Sequence, residues 1–275
     1  MGHIERYLDS LPDDVDKIDV SFNYLNYLPD LSKFKNLKEL YCKYNKLTSL
    51  PVLPKNLKYL SCAQNNLTSL PVLPEKLQTL SCSYNNLTSL PVLPEKLQIL
   101  SCSYNNLTSL PILPENLKYL SCYDNKLTSL PVLPEYLGRL YCYDNKLTSL
   151  PVLPEKLEIL YCYNNVLMSL PVLPEKLAIF DCSNNKLTSL PDLNEQLNGL
   201  SFYNNPICDI IHNHNLNITK KNIKIWNNFR HLYYCLKYRK RFLRIMEPVI
   251  KKRYHPSYLY NLREEDDLDA KLGEW

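Results

Sequence analysis

The 275-residue chain carries 20 prolines, 10 cysteines, 22 tyrosines and only 4 glycines, with 45% apolar and 22% charged residues and a net charge of +4. Four glycines leave little room for the Gly-rich phosphate loops of nucleotide enzymes, and they exclude collagen-like and Gly/Ser-linker chains. The apolar fraction excludes a disordered chain, no apolar run reaches the length of a membrane span, and so small a net charge selects no partner by itself.

Residues 1–14 come first, with Ile4, Tyr7, Leu8 and Leu11 spaced as a short amphipathic cap. The opening MGHIERYLDS has no apolar core of the signal-peptide kind, so the expected compartment is reducing and the cysteines are expected as free thiols. On that expectation the Asn-x-Thr triplets at Asn66, Asn86, Asn106 and Asn217 are products of repetition rather than glycosylation sites.

The body of the chain is a repeat. Residues 37–196 hold eight copies of L-x-x-L-x-C-x-x-N-x-L-x-x-L-P-x-L-P-x-x at a period of 20. A longer leading copy begins at Val15, and a trailing one begins at Leu197 and decays after Asn205. The segment L-x-x-L-x-C ends in the alternation of a half-buried strand. Two prolines within four residues forbid a regular return helix and fit an extended, polyproline-II connector. One such coil cannot bury its apolar side alone, so neighbours must stack; at about 4.8 Å per strand, ten coils span roughly 48 Å.

This pattern resembles the leucine-rich repeat family over about three quarters of the chain. The doubled Leu-Pro is most similar to the short bacterial type found in secreted effectors of pathogens. The resemblance implies a solenoid with parallel strands on a concave binding face and an extended convex side. The expected organisation is a cap at 1–14, a solenoid at 15–207 and a basic, helical extension at 208–275 with an acidic end.

Three sets of slots have different expected roles. The asparagines at Asn23, Asn45 and every twentieth residue to Asn205 carry donor and acceptor groups that can satisfy the backbone of their own and the next coil. The cysteines from Cys42 to Cys182 stand one per coil in line, unlike converging zinc ligands, and are expected as small buried hydrophobes. The slots around each cysteine vary from copy to copy, and with the slot opening each strand they hold 12 of the 22 tyrosines. Tyr gives large contact area at low entropy cost. The densest patch is Tyr119, Tyr123, Tyr141, Tyr143, Tyr161 and Tyr163, edged by Asp124, Asp144 and Arg139. It is the candidate protein-binding site, against the alternative that the tyrosines are only a cross-strand ladder stabilising the sheet. The Thr-Ser and Glu-Lys pairs of the convex side read as a solvated face without a site.

Beyond the repeat, residues 220–253 hold 12 Lys/Arg against one acidic residue. Apolar residues at Ile225, Phe229, Leu232, Leu236 and Leu243 suit one face of a helix over about 219–246. Such a helix can simply cap the last coil. Alternatively Lys237, Arg239, Lys240, Arg241, Arg244, Lys251, Lys252 and Arg253 contact nucleic acid or an anionic membrane. The ending, YHPSYL (Tyr254–Leu259) and DDLDAKLGEW (Asp266–Trp275), is similar to that of proteins of amoeba-infecting giant viruses of the mimivirus type. That resemblance implies a viral protein of the host cytoplasm, with virion association as a further option.

No motif points to an enzyme. P-loop, H-E-x-x-H and G-x-S-x-G patterns are absent, and Cys235 in YYCLKYR lacks the Cys-x-Asp motif of effector ubiquitin ligases. Cys208, Asp209, His212 and His214 match no zinc spacing. The expectation is a monomeric, non-enzymatic protein-interaction module without cofactor or metal. The alternatives are a ubiquitin-ligase-like effector or substrate adaptor, and a nucleic-acid or virion-associated protein.

Overall fold

The computed structural model describes residues 3–211 and 215–228. The chain divides into two units, Met1–Lys224 and Ile225–Trp275, and the repeat lies wholly in the first. Helix α1 (His3–Ser10) precedes ten three-residue strands: β1 (Lys17–Asp19), β2 (Glu39–Tyr41), β3 (Tyr59–Ser61), β4 (Thr79–Ser81), β5 (Ile99–Ser101), β6 (Tyr119–Ser121), β7 (Arg139–Tyr141), β8 (Ile159–Tyr161), β9 (Ile179–Asp181) and β10 (Gly199–Ser201). A 3-10 turn (Pro206–Asp209) and helix α2 (216–228) follow.

All ten strands form one parallel sheet in sequence order. The register advances by one coil, so Leu40 lies opposite Leu60, Leu140 opposite Leu160, and Phe180 opposite Leu200. In most strands only the middle residue is fully buried, as the alternation in the sequence requires; in β3 and β6 the following serine is buried as well. The core is a column of leucines, closed at one end by Ile4 and Leu8 of α1. At the other end Thr219 and Ile223 of α2 are buried, and Lys220 Nζ donates to the Glu195 carbonyl at 3.1 Å. The remainder of the helix expected over 219–246 lies outside the described residues.

The return leg carries the Leu-Pro pairs with no regular secondary structure. Its residues are extended, and proline leaves no N–H to satisfy there. Each return leg closes in a turn whose N–H to carbonyl bond, such as Leu77 to Pro74 at 3.0 Å, leads into the next strand. In the last full copy Asn194 replaces proline. Its Oδ1 takes the Leu197 N–H at 2.8 Å while Nδ2 donates to the Pro174 carbonyl, so a side chain makes the turn.

The asparagine slot is the structural hinge of every coil. Asn105 Nδ2 donates to the carbonyls of Cys102 (3.0 Å) and Ser103 (3.2 Å) in its own coil and of Cys82 (3.1 Å) in the coil before. Its Oδ1 accepts the Leu87 N–H at 3.0 Å. The same set recurs at Asn65, Asn85, Asn125, Asn145, Asn165 and Asn185. The bonds therefore run to the preceding coil and not, as the sequence suggested, to the following one. The amide must lie between the Cys carbonyls of two coils, and the chain reaches that point only after the strand has ended.

Glycine scarcity has a cost at the residue just before each ladder asparagine. That residue has a positive φ of 51–56° in every coil from Tyr44 to Asn204. No described glycine has a positive φ, so the left-handed turn is made by Tyr44, Gln64, Tyr84 and Tyr104, then by Asp124, Asp144, Asn164, Asn184 and Asn204. Asn and Asp tolerate this region; Tyr and Gln are strained in it.

Asn105→Ala removes three donated bonds and leaves the buried Leu87 N–H unpaired, and should cost about 3 kcal/mol in chemical denaturation. Asn23→Ala, at the exposed first rung where Nδ2 donates to the Ser21 carbonyl, should cost under about 1.5 kcal/mol. Gln64→Asn should raise stability by about 0.5–1 kcal/mol by easing the left-handed turn, read as a higher melting temperature.

Candidate functional site

The strand exits carry the variable residues, and the structure gathers their aromatic rings into two rows. One row is a continuous column over five coils. Tyr84 stacks on Tyr104 with ring centroids 4.0 Å apart, and Tyr104 meets Tyr123 edge-on at 5.3 Å. Tyr123, Tyr143 and Tyr163 then stack at 4.2 and 4.3 Å. Beside it Tyr119, Tyr141 and Tyr161 form a looser row, with centroids 5.5 and 5.3 Å apart. Tyr161 and Tyr163 join the rows at 6.4 Å.

The column keeps its line although its tyrosines come from two different slots. In the fourth and fifth coils Tyr84 and Tyr104 sit two residues after cysteine, in the left-handed position. From Tyr123 onward the ring comes from one residue after cysteine, and Asp or Asn makes the turn. Tyr84 and Tyr104 were outside the patch read from the sequence. Slot alignment separates them from Tyr123, whereas the left-handed turn swings their rings onto the same line.

Stacking governs the chemistry of these phenols. Burial, and then hydrogen bonding to the Tyr123 hydroxyl, push the Tyr143 hydroxyl far above the ordinary phenol range. Hydrogen bonding with Tyr84 holds Tyr104 up at about 12. Burial raises Tyr163 and Tyr141 as well. The column's ring faces are consumed internally, so it presents ring edges and a row of neutral hydroxyls. Along its border Asp144 accepts a hydrogen bond from Asn164 Nδ2 at 2.6 Å. The Asp124 carboxyl is raised by burial and then by the neighbouring Asp144 charge. Arg139 is exposed at the start of β7, and its charge favours the ionised form of Tyr141. All nine residues of the sequence-derived patch thus lie on adjoining coils of the strand face. The expected ladder is also present, and the two readings share the same side chains.

The cysteine slot behaves as a buried apolar position. Cys42 to Cys182 are free thiols with no exposure, and burial pushes each of them up, Cys62 to about 12. Among the described residues no group of His, Cys, Asp and Glu is arranged to hold a metal ion. His212 and His214 of the proposed cluster, Cys235, the eight Lys/Arg residues from Lys237 to Arg253 and the C-terminal ending lie outside the described residues.

With this geometry the comparison with known structures is specific. YopM from Yersinia enterocolitica WA-314 is 37% identical with a TM-score of 0.67, over 71% of this chain and 48% of that one. The leucine-rich effector YopM from Yersinia pestis is 33% identical with a TM-score of 0.63, over 69% and 61%. The leucine-rich repeat domain of a Shigella effector is 29% identical with a TM-score of 0.53, over 74% and 86%. The fold is that of the leucine-rich repeat proteins. The present chain spans about half the length of the first of these relatives. No family model matches the chain, and no curated protein matches it. No described helix of this leucine-rich repeat chain is long and apolar enough to cross a membrane.

The return leg holds a feature that the sequence reading passed over as solvated. In the slot between the two Leu-Pro pairs, Val52, Val72, Val92, Ile112, Val132, Val152 and Val172 are 81–89% exposed. The signal was in the sequence: in P-x-L-P the leucine and the x residue point to opposite sides, so a buried leucine forces an exposed valine.

The thiol ladder sets a pH limit. In the unfolded chain the thiols ionise from about pH 9, whereas burial holds every ladder thiol of the folded state well above that, Cys62 at about 12. Their contribution is therefore complete below pH 9 and is lost above it, by about 1.4 kcal/mol per thiol and pH unit. With eight such thiols, cooperative unfolding is expected near about pH 10 by circular dichroism. Replacing Cys122 and Cys142 with Val should move that midpoint upward.

Proposed function

We propose that the chain is a non-enzymatic protein-interaction module that binds a partner protein on its strand face. The residues assigned to contact are Tyr119, Tyr123, Asp124, Arg139, Tyr141, Tyr143, Asp144, Tyr161 and Tyr163. The observation that carries this reading is the pair of adjoining tyrosine rows, with stacked rings at 4.2 and 4.3 Å and their hydroxyls aligned. A rigid aromatic surface mounted on a sheet loses little entropy when a partner binds, and Tyr hydroxyls next to Asp and Arg supply directional bonds. The similarity to the Yersinia and Shigella effectors supports an interaction role by analogy of fold.

The test is affinity capture from expressing cells with the wild type, Tyr143→Phe and a Tyr123→Ala/Tyr143→Ala/Tyr163→Ala variant. A partner retained by the wild type should be lost, by at least about ten-fold in affinity, from the triple variant. Tyr143→Phe keeps the stack and the fold, and should weaken binding by a smaller factor through the lost hydroxyl. An unchanged set of retained proteins across all three would refute the assignment.

A further inference from the structure

The left-handed slot before each ladder asparagine carries a ring in four of the first five coils, at Phe22, Tyr44, Tyr84 and Tyr104. Phe22 and Tyr44 stack with centroids 4.3 Å apart and planes 14° from parallel, and Tyr84 and Tyr104 stack at 4.0 Å and 17°. Between the two pairs the slot holds Gln64, and the residue before it is Ala63, so the third coil supplies no ring from either position. The stack is interrupted for the length of one coil. Among the described residues no ring meets Tyr44 or Tyr84 across that break, and the two tyrosines are 46% and 44% exposed.

We infer that this break is a binding site for a single nucleotide, whose base enters between Tyr44 and Tyr84 and whose phosphate meets Lys43 and Lys46. Three observations select this ligand. The first is spacing. Tyr44 and Tyr84 stand two coils apart, about 9.6 Å at the ~4.8 Å strand repeat. One planar group, in contact with a ring face on each side, fills that interval and continues the stack. The second is the amide. Gln64 is half-buried and its N–H donates to the Ser83 carbonyl at 2.8 Å, yet no described residue hydrogen-bonds its side chain. A free amide donor and acceptor beside a gap between two ring faces can read the edge of a base, adenine above all. The third is charge. Lys43 and Lys46 flank Tyr44, with Nζ 5.8 Å from the Phe22 ring centre and 5.9 Å from that of Tyr24, and neither is in a salt bridge among the described residues. The turns 43–46, 63–66, 83–86 and 103–106 hold no acidic residue, whereas Asp124 and Asp144 stand in the next two.

An aromatic side chain of a protein fits less well. It would fill the gap and leave the two lysines without a counter-charge. The carboxylates of the first two strands are already engaged. Asp19 accepts the Ser21 N–H at 3.0 Å beside the charges of Lys17 and Lys43, and Glu39 accepts the Tyr41 hydroxyl at 3.1 Å. No Gly-rich loop is needed, because side-chain ammonium groups rather than backbone N–H groups meet the phosphate. The base comes from a free mononucleotide or from an unstacked position in a single strand, since both present the same ring and phosphate. Tyr44, Gln64 and Tyr84 are all outside the nine residues assigned to partner contact, so this site stands or falls independently of that assignment.

The experiment is calorimetric titration of the full chain with adenosine 5′-monophosphate (AMP), adenosine and a short adenine-only RNA strand. AMP should bind with a Kd below about 1 mM, and adenosine about ten-fold more weakly. Gln64→Tyr completes the stack, and its ring is accepted at this backbone position as at Tyr44 and Tyr84. That variant should lose at least about ten-fold in AMP affinity with no fall in melting temperature. Lys43→Gln/Lys46→Gln should weaken AMP by about ten-fold and leave adenosine unchanged. RNA that binds at least about ten-fold tighter than AMP makes the source a single strand, and RNA that binds no tighter makes it a free nucleotide. Absence of binding by both AMP and RNA at about 1 mM overturns the proposal, as does AMP binding that survives Gln64→Tyr. N-acetyltryptophanamide binding as tightly as AMP overturns the nucleotide in favour of a protein side chain.

Discussion

The structure depends on one side-chain amide per coil. After each three-residue strand the chain must turn, and the turn leaves the cysteine carbonyl facing inward without a backbone partner, while the carbonyl of the residue after it accepts a backbone N–H from the preceding coil. The ladder asparagine satisfies the cysteine carbonyl of its own coil and reaches the preceding coil as well, as Asn105 does with Cys82 and Leu87. A buried unsatisfied carbonyl costs on the order of 1–3 kcal/mol, so repeated coils of this length are stable only with such an amide at every turn. The asparagine in turn demands a left-handed residue immediately before it. A chain almost without glycine meets that demand with Tyr and Gln in the early coils and with Asp and Asn in the later ones.

That demand shapes the surface. The left-handed residue lifts its own side chain off the strand line. When it is tyrosine, as at Tyr84 and Tyr104, the residue before it is a serine and the ring joins the column. When it is Asp or Asn, the tyrosine moves back one residue and the ring stays in the column. The column therefore crosses from Tyr104 to Tyr123 by an edge-on contact in place of a stack, at the coil where the left-handed residue changes from Tyr to Asp. The backbone device that holds the coils together and the aromatic surface offered to a partner are thus coupled at adjacent residues.

The two sides of each coil have opposite characters for the same packing reason. On the strand side, small Ser and Cys slots let large rings lie down on one another. On the return side the prolines hold the chain extended and leave each x residue of P-x-L-P standing in solvent. The cysteines between these sides are filler whose thiols burial keeps neutral. They give the core its narrow width, and they lend the chain a composition that imitates a metal or disulfide protein.

The sequence by itself determined the solenoid. A period of 20 with one strand segment, one asparagine and two prolines per copy permits a single stacking solution, and the register Leu40, Leu60, Leu80 follows from it. It also picked out Tyr119, Tyr123, Tyr141, Tyr143, Tyr161 and Tyr163 as neighbours, because parallel strands bring equal slots together. Tertiary structure alone decided three things. It set the direction of the asparagine bonds, which depends on where the turn places the amide between coils. It brought Tyr84 and Tyr104 into the column, because a left-handed φ at a non-glycine residue is not written in any slot pattern. And it exposed the row from Val52 to Val172, because a valine beside a leucine looks like core until the coil closes and leaves room inside for only one of them.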